Sequence, residues 1–286
     1  MANSNGFRLG LIGAGVMCEV LVAGLLEQGL LAPTNIQASD KSAERLGLLS
    51  SSFGIQVTED NRVCAAKADV LVLAVKPQNL AEVLNELHGQ VPTDTLVLSI
   101  VAGARISALQ AGLGTSRIIR SMPNLPCRIR AGVTVWGAAA GVTPEDRART
   151  QQILGTMGRE VFVDDERHID RATAISGSGP AIVAEFIKSM FEAAVFCGAP
   201  RGLAHETVLQ TVMGTAELIQ RSGHEVHVAQ LIDEVTSPGG TTSRALQVLK
   251  KGHFSATITE SVEAAYNRTV ELGGQLEASL PRSNSL

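Results

Sequence analysis

The stretch "LGLIGAGVMCEVLVAGLLEQG", residues 9–29, joins an apolar run to a helical pattern through a glycine turn. The run before the turn predicts a buried strand, and the residues after it predict a helix. Gly13, Gly15 and Cys18 occupy the three positions of G-x-G-x-x-G, with cysteine in place of the third glycine. Gly13 permits the tight turn, and Gly15 lets the backbone approach a pyrophosphate at the helix start. The stretch therefore predicts a dinucleotide-binding βαβ unit. A tight turn without a ligand is the alternative.

Similar β-branched runs continue to about residue 163 and alternate with helical patterns, which predicts an α/β Rossmann-type parallel sheet covered on both faces. One helix is expected after Thr143 as N-cap, with Pro144 first. The predicted strands lie in FRLGLIG (7–13), NIQAS (35–39), GIQVT (54–58), DVLVLAV (69–75), TLVLSIV (95–101), RIIRSMP (117–123) and EVFVD (160–164).

Beyond about residue 165 the strand signal gives way to helical patterns, so we predict a dinucleotide-binding domain over 1–164 and an all-helical domain over 165–286. The pattern at 179–199 is apolar nearly all round. A helix of this kind needs cover on more than one side, so a subunit interface is expected there.

Composition excludes several classes of protein. The 286 residues are 45% hydrophobic and 18% charged, with a net charge of −4 and no basic run, so neither disorder nor a nucleic-acid partner is expected. The apolar runs are too short to span a membrane, and no secretory signal is expected. Four scattered cysteines favour reduced thiols and a cytoplasmic location. His224 and His227 have no third partner in the pattern, so we expect no metal.

The residues that close the predicted second and fourth strands are candidates for cofactor contacts. Asp40 is suited to accept the 2′-hydroxyl of NAD, whereas Ser39 with Lys41 is suited to hold the 2′-phosphate of NADP, and both interpretations stay open. Pro77 ends the fourth strand and begins a helix, which leaves Lys76 at the carboxyl edge of the sheet. Lys76 there either pairs with a cofactor phosphate or is simply solvated.

Two helix starts in the second half are rich in glycine and hydroxyl groups. "SGSGP" (176–180) is predicted to place Pro180 first in a helix, and "SPGGTT" (237–242) precedes another. Helix starts carry unpaired N–H groups that attract anions. The pair predicts a small anionic substrate, with ordinary helix capping as the alternative.

Several motifs together resemble the delta-1-pyrroline-5-carboxylate reductase family over nearly the whole chain. They are GLIGAGVM (10–17), AVKPQ (74–78), SIVAG (99–103), RSMPNLPC (120–127), TAISGSGPA (173–181) and DEVTSPGGTT (233–242). The resemblance implies an NAD(P)H-dependent oxidoreductase that transfers hydride to an imine carbon and forms L-proline in proline biosynthesis. It also implies homodimers through the helical domain, five of which assemble into a decamer.

The resemblance further implies roles for individual residues. Thr242 is the catalytic candidate, because its hydroxyl would donate to the imine nitrogen, and Pro123 and Asn124 would shape the loop near the nicotinamide. Glu166 would reach the cofactor, NADPH or NADH, from the helical half. The implied substrate-binding residues are Ser237, Gly239, Gly240, Thr241 and Thr242. The other implied cofactor-binding residues are Gly13, Ala14, Gly15, Val16, Met17, Ser39, Asn61, Ala74, Val75, Lys76, Pro77, Ala102 and Gly103.

Two departures from the family pattern keep alternatives open. Ile182 stands where the family usually has tyrosine, and Lys188 stands where it usually has an acidic side chain. The same reaction on a different cyclic imine carboxylate is therefore one alternative. A non-catalytic NAD(P)-binding sensor is another, although the intact loop with Thr242 argues against it. A β-hydroxyacid dehydrogenase with Lys188 as catalytic lysine is a third.

Overall fold

One sheet dominates the first part of the chain. Within residues 6–223 and 227–279, which a computed structural model describes, the sheet has eight strands. They are β1 (Leu9–Ile12), β2 (Ile36–Ser39), β3 (Gln56–Thr58), β4 (Val70–Leu73), β5 (Leu96–Ser99), β6 (Ile118–Met122), β7 (Gly132–Ala138) and β8 (Gly158–Phe162). Their order is β3-β2-β1-β4-β5-β6-β7-β8, so the strand order reverses between β1 and β4. The predicted Rossmann-type fold is confirmed, and such a reversal point is where these sheets bind ligands.

The central strands are apolar because helices cover both faces of a sheet of this type. Every residue of β1, β4 and β5 is buried. The predicted start of the helix after Thr143 is confirmed, since Thr143 and Asp146 form a reciprocal capping box there. The helices of this part are α1 (Val16–Glu27), α2 (Ala43–Phe53), α3 (Asn61–Ala65), α4 (Pro77–Leu87), α5 (Ile106–Leu113), α6 (Pro144–Gly155) and α7 (Arg167–Ala172).

The strand β7 was not among the predicted strands, and it makes the sheet mixed rather than purely parallel. It runs antiparallel to β6 and parallel to β8. Glycines at 132 and 137 interrupt its apolar pattern, which hides the strand in the sequence. Only a short 3-10 turn, Leu125–Ile129, joins β6 to β7, which suits antiparallel neighbours. Trp136 anchors β7 because its ring is buried and its Nε1 donates to Glu160 on β8 at 2.5 Å.

By its internal contacts the chain forms two compact units. The first comprises Met1–Gly177 with Ala265–Leu286, and the second comprises Ser178–Ala264. The domain boundary predicted after residue 164 falls within the first unit and stays a prediction. The helices from residue 178 onward are α8 (Gly179–Phe196), α9 (Arg201–Ser222), α10 (Val228–Glu234), α11 (Thr241–Lys251) and α12 (Phe254–Ser279), of which α12 contributes to both units.

The helix α8 confirms the predicted helical pattern but begins differently from the prediction. A π-helical segment, Thr173–Gly177, follows α7, and α8 starts at Gly179, so Pro180 is its second residue rather than its first. Although α8 is strongly apolar, none of its side chains is buried within the chain. Among the described residues, no helix is long and apolar enough to cross a membrane.

Candidate active site

The glycine turn after β1 is held between two neighbouring strand ends. Gly13 has φ +102°, and a Cβ added there would lie 2.8 Å from the carbonyl oxygen of Ala74. Its N–H donates to the carbonyl of Ser39 at 2.7 Å, while the Ala74 N–H donates to the carbonyl of Ile12 at 2.8 Å. Glycine is therefore required at position 13 both for its conformation and for the close approach.

The second glycine stands in open space at the start of α1. Gly15 is the N-cap of α1 with φ −72°, a conformation open to any residue, and an added Cβ would meet no atom within 4 Å. Val16 and Met17 are the first two residues of α1. Their N–H groups belong to a helix start without a side-chain cap, because the N-cap residue Gly15 has no side chain. Open space beside such a start fits a pyrophosphate.

Cys18 at the third motif position lies between α1 and the sheet. Its side chain is fully buried, and burial raises the pKa of its thiol to about 12. The thiol is thus a small neutral packing group, as expected for a residue that replaces the third glycine.

The end of β2 carries a fixed carboxylate. Asp40 accepts the Ala14 N–H at 2.7 Å through Oδ2 and the Ser42 N–H at 2.8 Å through Oδ1. Because Asp40 takes the Ala14 N–H, the carboxylate ties the glycine turn to the end of β2. Each carboxylate oxygen keeps further acceptor capacity for a ribose hydroxyl.

A polar network of Ser39, Asn61 and Glu86 lies at the end of β2, which Asp40 follows in the sequence. The buried Ser39 hydroxyl donates to Asn61 Oδ1 at 2.8 Å, and the Asn61 amide donates to Glu86 Oε2 at 2.7 Å. On the outer side, Lys41 Nζ lies 2.5 Å from Glu82 Oε1 on α4. These residues line an open cleft of about 260 Å³ together with Gly13 and Val75. The structure therefore brings Gly13, Ser39, Asn61 and Val75 to one cleft, and their contacts with a cofactor stay a prediction.

The loops after β4 and β5 supply the remaining candidates along this edge. Lys76 is exposed and is the N-cap of α4, with Pro77 as the first helical residue, as expected. After β5, Ala102 precedes Gly103, which has φ +76°. A Cβ on Gly103 would lie 3.3 Å from the backbone nitrogen of Gly273 on α12, so the loop and this end of α12 pack closely.

Glu166 lies in the same compact unit as the sheet. Its Oε2 accepts the Ile106 N–H at 3.1 Å, at the start of α5, and pairs with Arg120 Nη1 at 3.2 Å. Arg120 on β6 is 1% exposed and also pairs with Asp170 on α7. Sequence reasoning missed this cluster, although an arginine inside the apolar run "RIIRSMP" required buried carboxylate partners.

The loop after β6 is fixed by one amide. Asn124 Oδ1 accepts the Val133 N–H at 2.9 Å and faces the Cys127 thiol at 3.7 Å, while Pro123 is buried. Asn124 therefore shapes this loop, as the family resemblance implied, by joining it to β7.

The "SPGGTT" loop forms a tight turn in the second unit. The carbonyl of Ser237 accepts the Gly240 N–H at 3.0 Å, Pro238 occupies the second position, and Gly239 has φ +73° at the third. These are the requirements of a type II turn. A Cβ added at Gly240 would clash with the hydroxyl of Ser237. The Gly240 N–H is thus engaged within the turn, and its contact with the substrate stays a prediction.

The turn leads directly into α11. Gly240 is the N-cap and provides no side-chain cap, and Thr241 and Thr242 are the first two helical residues. Thr241 is exposed and Thr242 is half-buried. Their N–H groups belong to a helix start and so have no partner within the helix, which makes them candidate donors to an anion.

The two departures from the family pattern lie on different parts of the surface of α8. Lys188 Nζ is 3.3 Å from Glu185 and 3.9 Å from Glu192, so its charge is compensated by its own helix. Ile182 lines an apolar cavity of about 650 Å³ in the second unit, together with Phe186. The ion pairs of Lys188 give no support to the β-hydroxyacid dehydrogenase alternative.

Histidines do not assemble a metal centre in the part of the chain that is described. There, no group of three or more His, Cys, Asp or Glu side chains is arranged to hold a metal ion. His227 instead caps α10 by accepting the Ala229 N–H at 3.2 Å. His224 lies outside the described residues.

The sheet order, the glycine turn and the cleft at the reversal point define a Rossmann-type dinucleotide-binding protein. Residues 166–272 match the family model described as pyrroline-5-carboxylate reductase dimerisation, and residues 8–103 match NADP oxidoreductase, coenzyme F420-dependent. The chain belongs to the pyrroline-5-carboxylate reductase family, which confirms the resemblance in the motifs.

Individual relatives support this assignment. The pyrroline-5-carboxylate reductase of Synechocystis is 42% identical over 93% of this chain and 98% of its own, and that of Escherichia coli is 37% identical over 93% and 98%. A solved reductase from Coxiella burnetii has a TM-score of 0.84 at 35% identity, covering 94% of this chain and 99% of its own. The Plasmodium falciparum reductase, solved with NADP bound, has a TM-score of 0.85 at 30% identity, covering 95% and 100%.

Proposed function

We propose that the chain reduces 1-pyrroline-5-carboxylate to L-proline, a step of proline biosynthesis. The observation that carries the proposal is the "SPGGTT" turn, which opens into α11 with Thr242 in the first helical turn. A protein that only senses NAD(P) has no use for such a substrate loop. The names of the relatives support the same reaction.

The first unit is suited to bind and orient the cofactor. When bound, a reduced nicotinamide dinucleotide would supply the hydride. The helix start at Gly15 would hold the pyrophosphate, Lys76 would offer a cation at the carboxyl edge of the sheet, and the cleft beside Ser39 and Asn61 would take the ribose. The NADP in the Plasmodium falciparum structure supports this assignment.

The second unit is suited to hold a small carboxylate. The N–H groups of Thr241 and Thr242 would bind the substrate carboxylate at the positive end of α11. The Thr242 hydroxyl would donate a hydrogen bond to the lone pair of the neutral imine nitrogen, which takes up a proton as the imine carbon accepts hydride. A neutral hydroxyl orients that nitrogen without adding a competing positive charge.

Paired substitutions of Thr242 test the proposal. Thr242→Val removes the hydroxyl but keeps the shape, and we expect kcat for 1-pyrroline-5-carboxylate to fall about 10- to 100-fold through the loss of one hydrogen bond to a nitrogen that gains charge in the transition state. Thr242→Ser should retain most of the rate, and Thr241→Val is the matched control. The dissociation constant for NADPH should not change. An unaltered kcat in Thr242→Val would refute the assigned role.

A panel of cyclic imine carboxylates tests the substrate. Reduction of a six-membered or substituted ring in preference to 1-pyrroline-5-carboxylate would replace the proposed substrate with the alternative left open by Ile182. Absence of turnover with every imine would refute the enzymatic proposal.

We also propose that the chain forms homodimers through its helical part, and that five dimers assemble into a decamer. Support comes from the dimerisation family model over residues 166–272 and from the apolar α8, whose residue Phe196 is 92% exposed. Light scattering of the purified chain tests both sizes. A cytoplasmic location is a further proposal, favoured by four free cysteines.

A further inference from the structure

The cleft at the carboxyl ends of β1 and β2 carries more negative than positive charge. Asp40, Glu82 and Glu86 line it, against Lys41 as the cation among its lining residues. Glu86 is fixed by the amide of Asn61 at 2.7 Å, and Asp40 is fixed by two backbone N–H groups. The charges of Asp40 and Glu86 are therefore held in the cleft by hydrogen bonds, whereas Glu82 is an exposed side chain.

The cations near the end of β2 are already paired with carboxylates. Burial does not enforce the pair of Lys41 with Glu82, since their side chains are 76% and 68% exposed, so the partner of Lys41 is exchangeable. The pairs are Lys41 with Glu82 at 2.5 Å, Arg45 with Glu19 at 3.0 Å, and Arg62 with Asp60 at 3.0 Å.

The two nicotinamide cofactors make opposite demands on this position. The ribose 2′-hydroxyl of NADH needs an acceptor, which Asp40 offers, whereas the 2′-phosphate of NADPH needs a cation. A phosphate carries about −1.5 to −2 charges at neutral pH, so it must both overcome the carboxylates and separate Lys41 from Glu82.

We propose that Glu82 sets the balance between NADPH and NADH by competing with the 2′-phosphate for Lys41. The inference rests on the proposed function, since it concerns the cofactor of that reaction. Glu82 lies on α4, 41 residues from Lys41 in sequence, and it reaches the cleft only because β1 and β4 are neighbours. Glu82 acts here as a specificity-determining residue and not as a catalytic one.

The test is Glu82→Gln, with dissociation constants for NADPH and NADH measured by titration calorimetry at low ionic strength. We expect NADPH to bind about 3- to 10-fold more tightly and NADH to change less than about twofold, because the pair removed is exposed. The adenosine ends of the two cofactors can also be tested alone. Glu82→Gln should bind 2′,5′-ADP, which carries the 2′-phosphate, more tightly than the native chain does, and its affinity for 5′-AMP should change little. High salt should shrink the gain.

Two further variants show how Glu82 acts. Lys41→Gln should weaken the binding of NADPH but not that of NADH. When Glu82→Gln is added to Lys41→Gln, the affinity for NADPH should rise by less than it does when Glu82→Gln is made in the native chain. Glu145→Gln is the matched control, since Glu145 forms an exposed pair with Arg149 on α6 and does not line the cleft. Its affinities for both cofactors should equal those of the native chain.

Failure of the role proposed for Glu82 and failure of the proposed function give different results in these experiments. Equal changes for both cofactors, or an unchanged NADPH affinity in Glu82→Gln with native thermal stability, would overturn the inference and leave the proposed function standing. If the native chain bound neither cofactor, the proposed function itself would fail.

Discussion

Substitutions at the two glycines of the turn should separate folding from cofactor binding. In Gly13→Ala the new methyl group meets the Ala74 carbonyl oxygen at 2.8 Å while φ stays at +102°. A left-handed conformation costs about 1–2 kcal/mol for a residue with a side chain. A clash with fixed backbone adds about 1–3 kcal/mol. We expect the free energy of unfolding to fall by about 3 kcal/mol, which lowers Tm by about 6–12 °C.

Gly15→Ala is the matched change with the opposite expectation. The conformation of Gly15 suits alanine, and its Cβ would meet nothing within 4 Å, so Tm should stay within about 1 °C of the native value. The methyl group would nevertheless stand where a pyrophosphate must approach the helix start. Loss of one charge-assisted hydrogen bond, about 1.5–3 kcal/mol, would weaken the binding of the reduced cofactor by roughly 10- to 150-fold.

Thermal unfolding followed by circular dichroism gives Tm without cofactor, and the fluorescence of bound NADPH gives the dissociation constant. Gly13→Ala should lose stability, and Gly15→Ala should lose affinity for NADPH without losing stability. A Gly15→Ala protein that binds NADPH as tightly as the native chain would refute the pyrophosphate assignment. A Gly13→Ala protein with native Tm would refute the claim that the turn is sterically closed.

Two further predictions concern buried charges. Arg120→Met should lower the free energy of unfolding in urea by about 3–5 kcal/mol, because Asp170 is left buried without its cation. Arg8→Met, which breaks an exposed pair, should lower it far less. Burial raises the pKa of Asp146, but hydrogen bonds from Arg117 and the cap outweigh it, so the pKa lies below its usual value. Asp146→Asn should therefore cost its full stability above about pH 5, and the cost should shrink as acid protonates the carboxyl of the native protein. A stability difference between the two proteins that grew in acid would contradict this.

Local signals in the sequence predicted much of the fold. Strands β1, β4 and β5 are continuous apolar runs, and the start of α6 is fixed by Thr143, because periodicity and capping are properties of neighbouring residues. The strand β7 escaped prediction since its glycines break the pattern and its stability comes from pairing with β6 and β8.

The candidate site divides in the same way. The glycine turn at Gly13 and the type II turn at Gly239 are legible in the chain, since each needs a positive φ that glycine supplies. Arg120 was missed because its partner Asp170 lies 50 residues away, and only the packing of α7 beside β6 joins them.

The sequence by itself determined most of the element types, the two glycine turns and the family, because each depends on short segments whose chemistry does not involve distant residues. Only the tertiary structure decided which charges face one another. Lys41 meets Glu82 because β4 lies beside β1 and carries α4 toward the end of β2. Coulomb attraction depends on the distance between two charges in space. The number of residues between them in the sequence does not give that distance, which is set only when the strands pair.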